Sequence, residues 1–385
     1  MRLVFICSGL EPGRDGVGDF ARTLAQECAK LGHEVRLAAV RDAAGSGKAS
    51  IDGREFRAKD IFRNPVEARE MSIWLRNFNP DWASVQYTPF GFHPRGLGSK
   101  RASWLRELLP TTTRRHIMLH EIWLQPGRDG TFRHRALGWA QRRSVDAWIH
   151  TGWNPEIVQT QSRLHQVRLQ TRGVKVDLLP LCSTFRPVSI AQSAARASVA
   201  DWLRAAGQTV DENAFWFGHF GAFHAQAWDF TDFAQNVTVQ LKASGKRACF
   251  LALGRAAAVG KVFADAAHAV PDADFRVVGE LSEEKVPVAM QACDGAFTST
   301  PWDIIEKSSA VAAWRALGVP VWVTRAGATD STQLPAWPDS GLILADINSV
   351  WHLPKYPSRI AGPLHLDPAQ TAQTFLATLA TPPHA

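Results

Sequence analysis

Arg276–Val321, RVVGELSEEKVPVAMQACDGAFTSTPWDIIEKSSAVAAWRALGVPV, carries the fold in its punctuation. Arg276–Val278 predicts a short apolar strand that stops at Gly279, and Ser282-Glu283-Glu284 supplies an N-cap and first-turn acids for a helix over 285–292. Gly295–Thr298 predicts the next strand and residues 301–308 a polar turn. Ser309–Leu317 then reads as a helix rich in Ala and Trp, stopped by Gly318-Val319-Pro320 before a strand over 321–324. The turn stands at the carboxyl end of one strand and the amino end of a helix, where an open α/β sheet binds anions.

Strands alternate with helical patterns of 10–15 residues along the rest of the chain, which predicts parallel sheets. At 385 residues the chain exceeds what one core usually serves, so two domains are expected. Cys7, Cys28, Cys182, Cys249 and Cys293 are spread singly, as suits reduced buried thiols. No apolar run approaches the 18 or so residues that cross a membrane, and Leu3–Cys7 is a strand too short for a signal peptide. The expectation is a cytoplasmic protein.

The block from Gly279 through Ser282–Glu284, Cys293-Asp294 and Gly318-Val319-Pro320-Val321 resembles the donor-binding half of glycosyltransferases of family 4. Upstream, Leu179-Pro180, Phe185-Arg186-Pro187, a helix to Gly207 and Asp211–Phe223 fall where that family has I-P-N-G-V-D, F-x-P, a helix and an F-V-G-R strand. The resemblance implies the α/β GT-B fold, two Rossmann-like domains with parallel sheets facing a central cleft. It places an acceptor-binding domain at 1–186, a nucleotide-sugar-binding domain at 187–362, and a C-terminal helix at 363–385 that packs back on the first. It implies transfer of a sugar from a nucleotide-sugar, such as a UDP- or GDP-sugar, with retention, no metal and no cofactor.

The chain departs from the family at two places. The second Glu of E-x7-E, which in the family holds the donor ribose, falls on Ala313, and the first survives out of step as Glu306. The Arg and Lys that grip the diphosphate in the family are missing from Gly218-His219-Phe220-Gly221-Ala222-Phe223-His224. Lys307, the only Lys or Arg between Lys285 and Arg315, stands beside Ser308 and Ser309. A cation, two hydroxyls and the amides of a helix start suit a diphosphate; the same residues also suit a Ser N-cap beside a solvated Lys. Gly279, Glu280, Leu281, Glu306, Lys307, Ser308, Ser309 and His219 are the expected donor contacts.

Charge divides the chain. Residues 1–186 hold 29 Lys and Arg against 18 Asp and Glu, net +11, and the remainder holds 14 against 18, net −4. Under the resemblance the basic half receives the acceptor, so an anionic acceptor (a glycan, a lipid-linked intermediate or nucleic acid) is expected, with peripheral contact to the inner face of a membrane. Arg114-Arg115, Arg133-His134-Arg135 and Arg142-Arg143 concentrate this charge, though an amphipathic helix over 133–143 accounts for some of it as a solvated face.

After the strand Arg2–Cys7, a Gly-containing loop with Gly16, Val17, Gly18 and Asp19 leads to a helix predicted over Phe20–Leu31. Gly16-x-Gly18-x-x-Ala21 fits a dinucleotide fingerprint with Asp42 as its ribose acid, but eight residues separate Cys7 from Gly16, and that turn needs its first Gly directly after the strand. The family uses such a loop to approach donor phosphate and acceptor. Ser84–Tyr87 predicts a strand running into a loop to His93, and Ile117–Leu119 a strand ending in His120-Glu121. The family has His-Asp or His-Glu there, with the His on the donor sugar; the bland alternative is a strand-end His bonded to backbone. His120 and Glu121 are the catalytic candidates, and Gly16, Val17, Gly18, Asp19 and Tyr87 the acceptor contacts.

Other chemistries fit less well. His116 and His120 on one strand lie roughly 13 Å apart, too far for one zinc. Asp272-Ala273-Asp274 precedes a strand where a sugar-transfer metal motif would follow one. Most of the 15 Trp read as core, with Trp123, Trp153 and Trp302 placed in loops where they could stack on a sugar or base. Two further readings stand beside the main one: a DNA-modifying glycosyltransferase, and a catalytically degenerate GT-B protein that binds nucleotide or glycan as a partner subunit.

Overall fold

A computed structural model describes residues 1–124, 131–221, 223, 229–254, 257–325, 342–344 and 367–381. The chain divides into two compact units, Met1–Thr184 with Asp367–Ala385, and Phe185–Leu366. The expected junction at 362/363 lies outside the described residues, as do Ala222 and His224.

Unit 1 runs β1 (Arg2–Cys7), α1 (Gly16–Lys30), β2 (Glu34–Ala39), β3 (Lys48–Ala49), β4 (Glu55–Arg57), α2 (Pro65–Phe78) and β5 (Trp82–Tyr87). It continues with the short α3 (Pro89–Phe92), α4 (Ser99–Glu107), β6 (Arg114–Leu119), α5 (Phe132–His150), β7 (Ile157–Thr160), α6 (Arg163–Gln170) and β8 (Asp177–Leu178). Unit 2 runs α7 (Gln192–Ala205), β9 (Phe215–Phe220), α8 (Phe230–Ala243), β10 (Ala248–Leu253), α9 (Ala257–Ala269) and β11 (Ala273–Gly279). Then come α10 (Lys285–Ala292), β12 (Gly295–Thr298), α11 (Ser309–Ala316), β13 (Val321–Val323) and β14 (Leu342–Leu344). The last helix, α12 (Pro368–Ala380), returns to unit 1, where Phe375 packs 5.6 Å from Phe5 and edge-on to His116.

Unit 1's sheet is ordered β3-β4-β2-β1-β5-β6-β7-β8, parallel apart from the β3–β4 pair. The order in unit 2 is β11-β10-β9-β12-β13-β14, parallel throughout the described pairs. In each sheet the chain starts in the middle, builds toward one edge, then crosses to build toward the other. That leaves a switch point between β1 and β5 in unit 1 and between β9 and β12 in unit 2, and at such a point loops leave in opposite directions and open a crevice at the strands' carboxyl ends. Helices cover both faces, so the strands are near-continuous apolar runs: β1, β5, β9 and β10 are almost wholly buried.

Alternation along β9 splits unit 2's core in two. Phe215 and Phe217 join an aromatic cluster with Phe230, Phe250 and Phe297, while Trp216 turns to the opposite face with Trp314 and Cys293. Gly218 lies on the Trp216 strand where nothing larger fits: a Cβ there would stand 2.3 Å from Trp314 Cη2 and 2.9 Å from Cys293 Sγ. Gly218→Ala should therefore destabilise unit 2 by roughly 1–3 kcal/mol of overpacking, read as a lower urea midpoint at unchanged slope. A midpoint equal to wild type would show that Trp314 moves aside freely.

Several boundaries differ from the sequence reading: β11 spans Ala273–Gly279 where the sequence predicts 276–278, the loop expected after β5 contains the short α3, and α10 opens after Glu284 with no side-chain cap where Ser282 is the expected N-cap. The first helix opens at Gly16, four residues before the predicted Phe20, because Asp15 caps it: its Oδ1 accepts from the amides of Val17 and Gly18 at 3.0 and 3.1 Å. Gly18 is needed there for approach, since a Cβ would stand 2.7 Å from Gly9 O. Gly16, Val17, Gly18 and Asp19 thus form a helical first turn rather than a loop.

Candidate functional site

In unit 2 the loop after β12 crosses the switch point and feeds α11. Thr298 Oγ1 accepts from the Thr300 amide at 3.1 Å, Thr300 Oγ1 lies 3.5 Å from Ser308 Oγ, and Ser308 caps α11 by accepting from the Val311 amide at 3.3 Å. Trp302–Lys307, predicted as a turn, is a 3₁₀ helix whose Trp302 amide donates to Arg325 O at 2.9 Å. The start of α11 lies against the end of β9: Gly221, in the left-handed region at φ +93°, would bring a Cβ 3.4 Å from Ala310 Cβ. Glu306, Lys307, Ser308 and Ser309 are half-buried around this helix start. The Ser308 hydroxyl is engaged as the cap, with Lys307 and Ser309 on either side of it in the chain.

Gly279, left-handed at φ +85°, accepts from the Gly254 amide at 2.8 Å and ends β11. Glu280 is exposed and Leu281 packs partly on the core. These three share the carboxyl edge of the sheet but stand two strands from β9. His219 corrects the sequence reading. It falls on the Phe217 face of β9, is 2% exposed, and sits between the rings of Phe223 and Phe297 at 5.0 and 5.2 Å, so it belongs to the aromatic core. Ala313, where the resemblance asks for Glu, is fully buried. Asp294 of the family-like pair is structural: Oδ2 accepts from the Trp216 amide at 2.8 Å, Oδ1 accepts from Gln192 Nε2 at 3.0 Å, and Arg196 is its ion-pair partner.

In unit 1, Ser8 at the end of β1 meets the segment after β5, where a Cβ on Gly91 would stand 2.6 Å from Ser8 Oγ and 2.4 Å from Thr88 Oγ1. The first loop is pinned by Asp42, which accepts from the Leu10 amide at 2.9 Å and takes Arg57 through Nε and Nη2 at 2.8 and 3.0 Å. Burial alone would raise the Asp42 carboxyl, but Arg57 and the amides of Leu10 and Ala44 outweigh it and hold the pKa below the ordinary value. The carboxylate that a dinucleotide reading would give to a ribose is thus committed to the loop. Asp19 reaches back to accept from the Gly13 amide at 3.0 Å.

His120 follows β6, 4% exposed, its ring edge-on to Phe20 of α1 at 5.3 Å and its amide donating to Tyr87 O at 3.0 Å. It heads a buried polar chain. Gln86 Nε2 donates to Ser84 Oγ at 2.7 Å, leaving Gln86 Oε1 to accept from His120 Nε2 at 2.9 Å, and Ser84 Oγ lies 2.7 Å from His116 Nδ1. His120 Nε2 is therefore the donor to Gln86 Oε1. Burial pushes the His116 pKa down to about 3, so the far end of the chain is neutral. Glu121 is half-buried beside it, its amide 3.5 Å from Tyr87 O. The sequence signal for this chain is a pair of polar residues, Ser84 and Gln86, two apart on an otherwise apolar strand.

Unit 1 brings His120 and Glu121 to the same sheet edge as the first turn of α1. It does not bring Tyr87: its ring is 1% exposed, stacked on Phe92 at 5.7 Å and against Trp148 at 5.0 Å. Burial raises its phenol well above the usual range. Trp123 and Trp153 are likewise core, Trp153 Nε1 donating to His116 O at 3.0 Å, and Trp302 is half-buried. Arg114 and Arg115 stand at the amino end of β6, away from His120, with Arg114 paired to Glu156 at 2.8 Å. Arg133, Arg135 and Arg143 are exposed on α5, and Arg143 covers the Trp139 ring at 4.3 Å. Asp272 pairs with Lys242 at 2.6 Å and Asp274 with Arg276 at 3.3 Å. Among the described residues no three His, Cys, Asp or Glu side chains gather as a metal-ion site, no helix is long and apolar enough to cross a membrane, and all five thiols are free and buried.

No family model matches this sequence, and no curated protein is significantly similar to it. Solved structures are similar across nearly the whole chain. A glycosyltransferase from Rickettsia africae ESF-5 aligns over 99% of this chain and 89% of its own, at TM-score 0.52 and 10% identity. The UDP-GlcNAc 2-epimerase of Methanocaldococcus jannaschii aligns over 98% and 100%, at TM-score 0.51 and 10% identity. WaaG, a glycosyltransferase involved in lipopolysaccharide biosynthesis, aligns over 84% and 80%, at TM-score 0.50 and 10% identity. The chain has the GT-B fold, two Rossmann-like units with parallel sheets.

Proposed function

We propose that this protein transfers a sugar from a nucleotide-sugar to an anionic acceptor, without a metal and with retention. The reading assigns the donor to unit 2 and the acceptor to the basic unit 1. The observation that carries it is the start of α11 at the β9–β12 switch point, where Lys307 and a helix amino end meet in a fold shared with glycosyltransferases. As the anomeric C–O bond breaks, its electron pair passes to the β-phosphate. The helix end, equivalent to about half a positive charge, and the Lys307 ammonium stabilise that oxygen. The acceptor oxygen forms the new bond, and its proton passes to the departing phosphate. His120 orients a hydroxyl of the sugar; Gly16–Asp19 line the acceptor's approach.

A panel of nucleotide-sugars read by thermal shift tests this. A cognate donor at 100 times its dissociation constant adds about 2.7 kcal/mol of stability. Release of nucleoside diphosphate with anionic acceptors, duplex DNA among them, then reads transfer. Because an epimerase shares the fold, the sugar product is identified as well: conversion of the donor without an acceptor would overturn transfer. A second reading, a binder that does not turn over, draws on Ala313, buried where the resemblance asks for a ribose-holding Glu. Tight donor binding with no product from any acceptor would favour it.

A further inference from the structure

Four arginines of unit 1 lie close enough to the His93 imidazole to act on it electrostatically. Arg41 leaves β2, Arg63 lies in the segment after β4, and Arg95 and Arg101 follow β5, all toward the carboxyl edge that carries the β1–β5 switch point. His93 Nδ1 accepts from the amides of Arg95 and Leu97, both at 3.1 Å, so Nε2 carries the proton and is a donor. Burial, then the guanidiniums of Arg101, Arg41, Arg95 and Arg63, holds the His93 pKa below its ordinary value.

Neutral groups fix two of these guanidiniums. Arg41 Nη1 donates to Gly91 O at 2.7 Å and to Phe90 O at 3.3 Å, and Arg101 donates to Phe92 O while covering the Phe62 ring at 4.4 Å. Among the described residues the carboxylate paired with any of the four is Asp60, 3.5 Å from Arg41 and 3.8 Å from Arg63. The amino end of α4 joins them: its cap, Gly98, has no capping side chain, the first turn holds no acid, and a Cβ on Gly98 would stand 3.6 Å from His93 Cβ and 3.8 Å from Arg101 Cδ. Drawing four like charges from separate segments against one counter-charge costs stability, and an anion offsets that cost.

We propose that Arg41, Arg63, Arg95, Arg101, the His93 Nε2 proton and the start of α4 bind a phosphate monoester carried by the acceptor. The assignment to the acceptor rests on the transferase reading above; the site itself does not. Phosphate fits better than carboxylate because it brings close to two charges and three acceptor oxygens to a site with a surplus of guanidinium forks.

The test is calorimetric titration of the full chain with inorganic phosphate, against sodium chloride at matched ionic strength. Saturable binding is expected, its tightest component weakened at least tenfold in the double variant Arg63→Ala, Arg95→Ala. Both side chains are exposed and neither holds a backbone carbonyl, so folding should persist, and an unaltered urea midpoint without phosphate checks it. Binding no stronger than chloride, binding unchanged in the double variant, or acetate binding as tightly as phosphate would overturn the proposal. A hexose phosphate binding more tightly than inorganic phosphate supports the acceptor assignment. A nucleoside diphosphate, titrated separately, should bind the double variant as it binds wild type; an equal loss would make this a donor site and overturn the acceptor assignment. Phosphate binding without any nucleoside diphosphate binding would sink the transferase reading and leave this site standing.

Discussion

Lys307→Ala is expected to weaken binding of a nucleoside diphosphate by roughly tenfold to a hundredfold, about 1.5–3 kcal/mol for one charged hydrogen bond, while the bare nucleoside binds as before. A diphosphate presents its charge to the start of α11, and in this chain the Arg and Lys that follow the first strand in the family are missing from Gly218–His224. No side chain of His219, Phe220 or Gly221 grips a phosphate there, since His219 is turned into the aromatic core, Phe220 is apolar and Gly221 has no side chain. The cation has to come from the other side of the switch point. Lys307 immediately precedes the cap Ser308, beside the first turn where the helix field is strongest. Equal loss of nucleoside and diphosphate, or no loss of either, would leave Ser308 as an ordinary cap beside a surface lysine and shift weight to the non-catalytic binder.

His120→Ala is expected to lower kcat by roughly tenfold to a hundredfold with nucleotide affinity nearly unchanged, since the nucleotide is assigned to unit 2. Gln86→Leu should reproduce part of that fall without touching substrate, because Gln86 Oε1 fixes the proton on His120 Nε2. The double variant separates positioning from plain destabilisation: if Gln86 acts through His120, adding Gln86→Leu to His120→Ala should lower kcat no further. Additive losses would mean that Gln86 only supports the core. Full activity of His120→Ala would return His120 to the strand-end histidine bonded to its neighbours.

Much of unit 2 is legible locally. Gly279, the strand at 295–298, the Ser308 cap before Ser309 and the stop at Gly318 are each set by backbone conformations and capping chemistry that depend on residues a few positions apart, and the structure has them within a residue or two; the Ser282 cap with first-turn acids is not among them, since α10 opens after Glu284 with no side-chain cap and no acid in its first turn. The start of α1 runs against its local signal for a reason equally local in kind. Two glycines signal a loop, but the Asp15 cap and the contact of Gly18 with Gly9 outweigh their propensity.

What the sequence determines alone, then, is the alternation of strand and helix, the parallel sheets it demands, and the place along the chain where a strand end feeds a helix start. Only the tertiary structure decides which strand-end side chains face inward. Tyr87 and His219 look like ligands because they sit at carboxyl strand ends, yet the face each one takes is fixed by strand register and by rings contributed from Trp148 and Phe297, far away in sequence. The same holds for what the sequence conceals. Ser84, Gln86, His116 and His120 become one chain of hydrogen bonds because β5 pairs with β6, and Arg41, Arg63, Arg95 and Arg101 come within electrostatic reach of His93 although they lie in separate segments of the chain. Local sequence sets what each segment becomes; long-range pairing sets which charges and polar groups have to share a space.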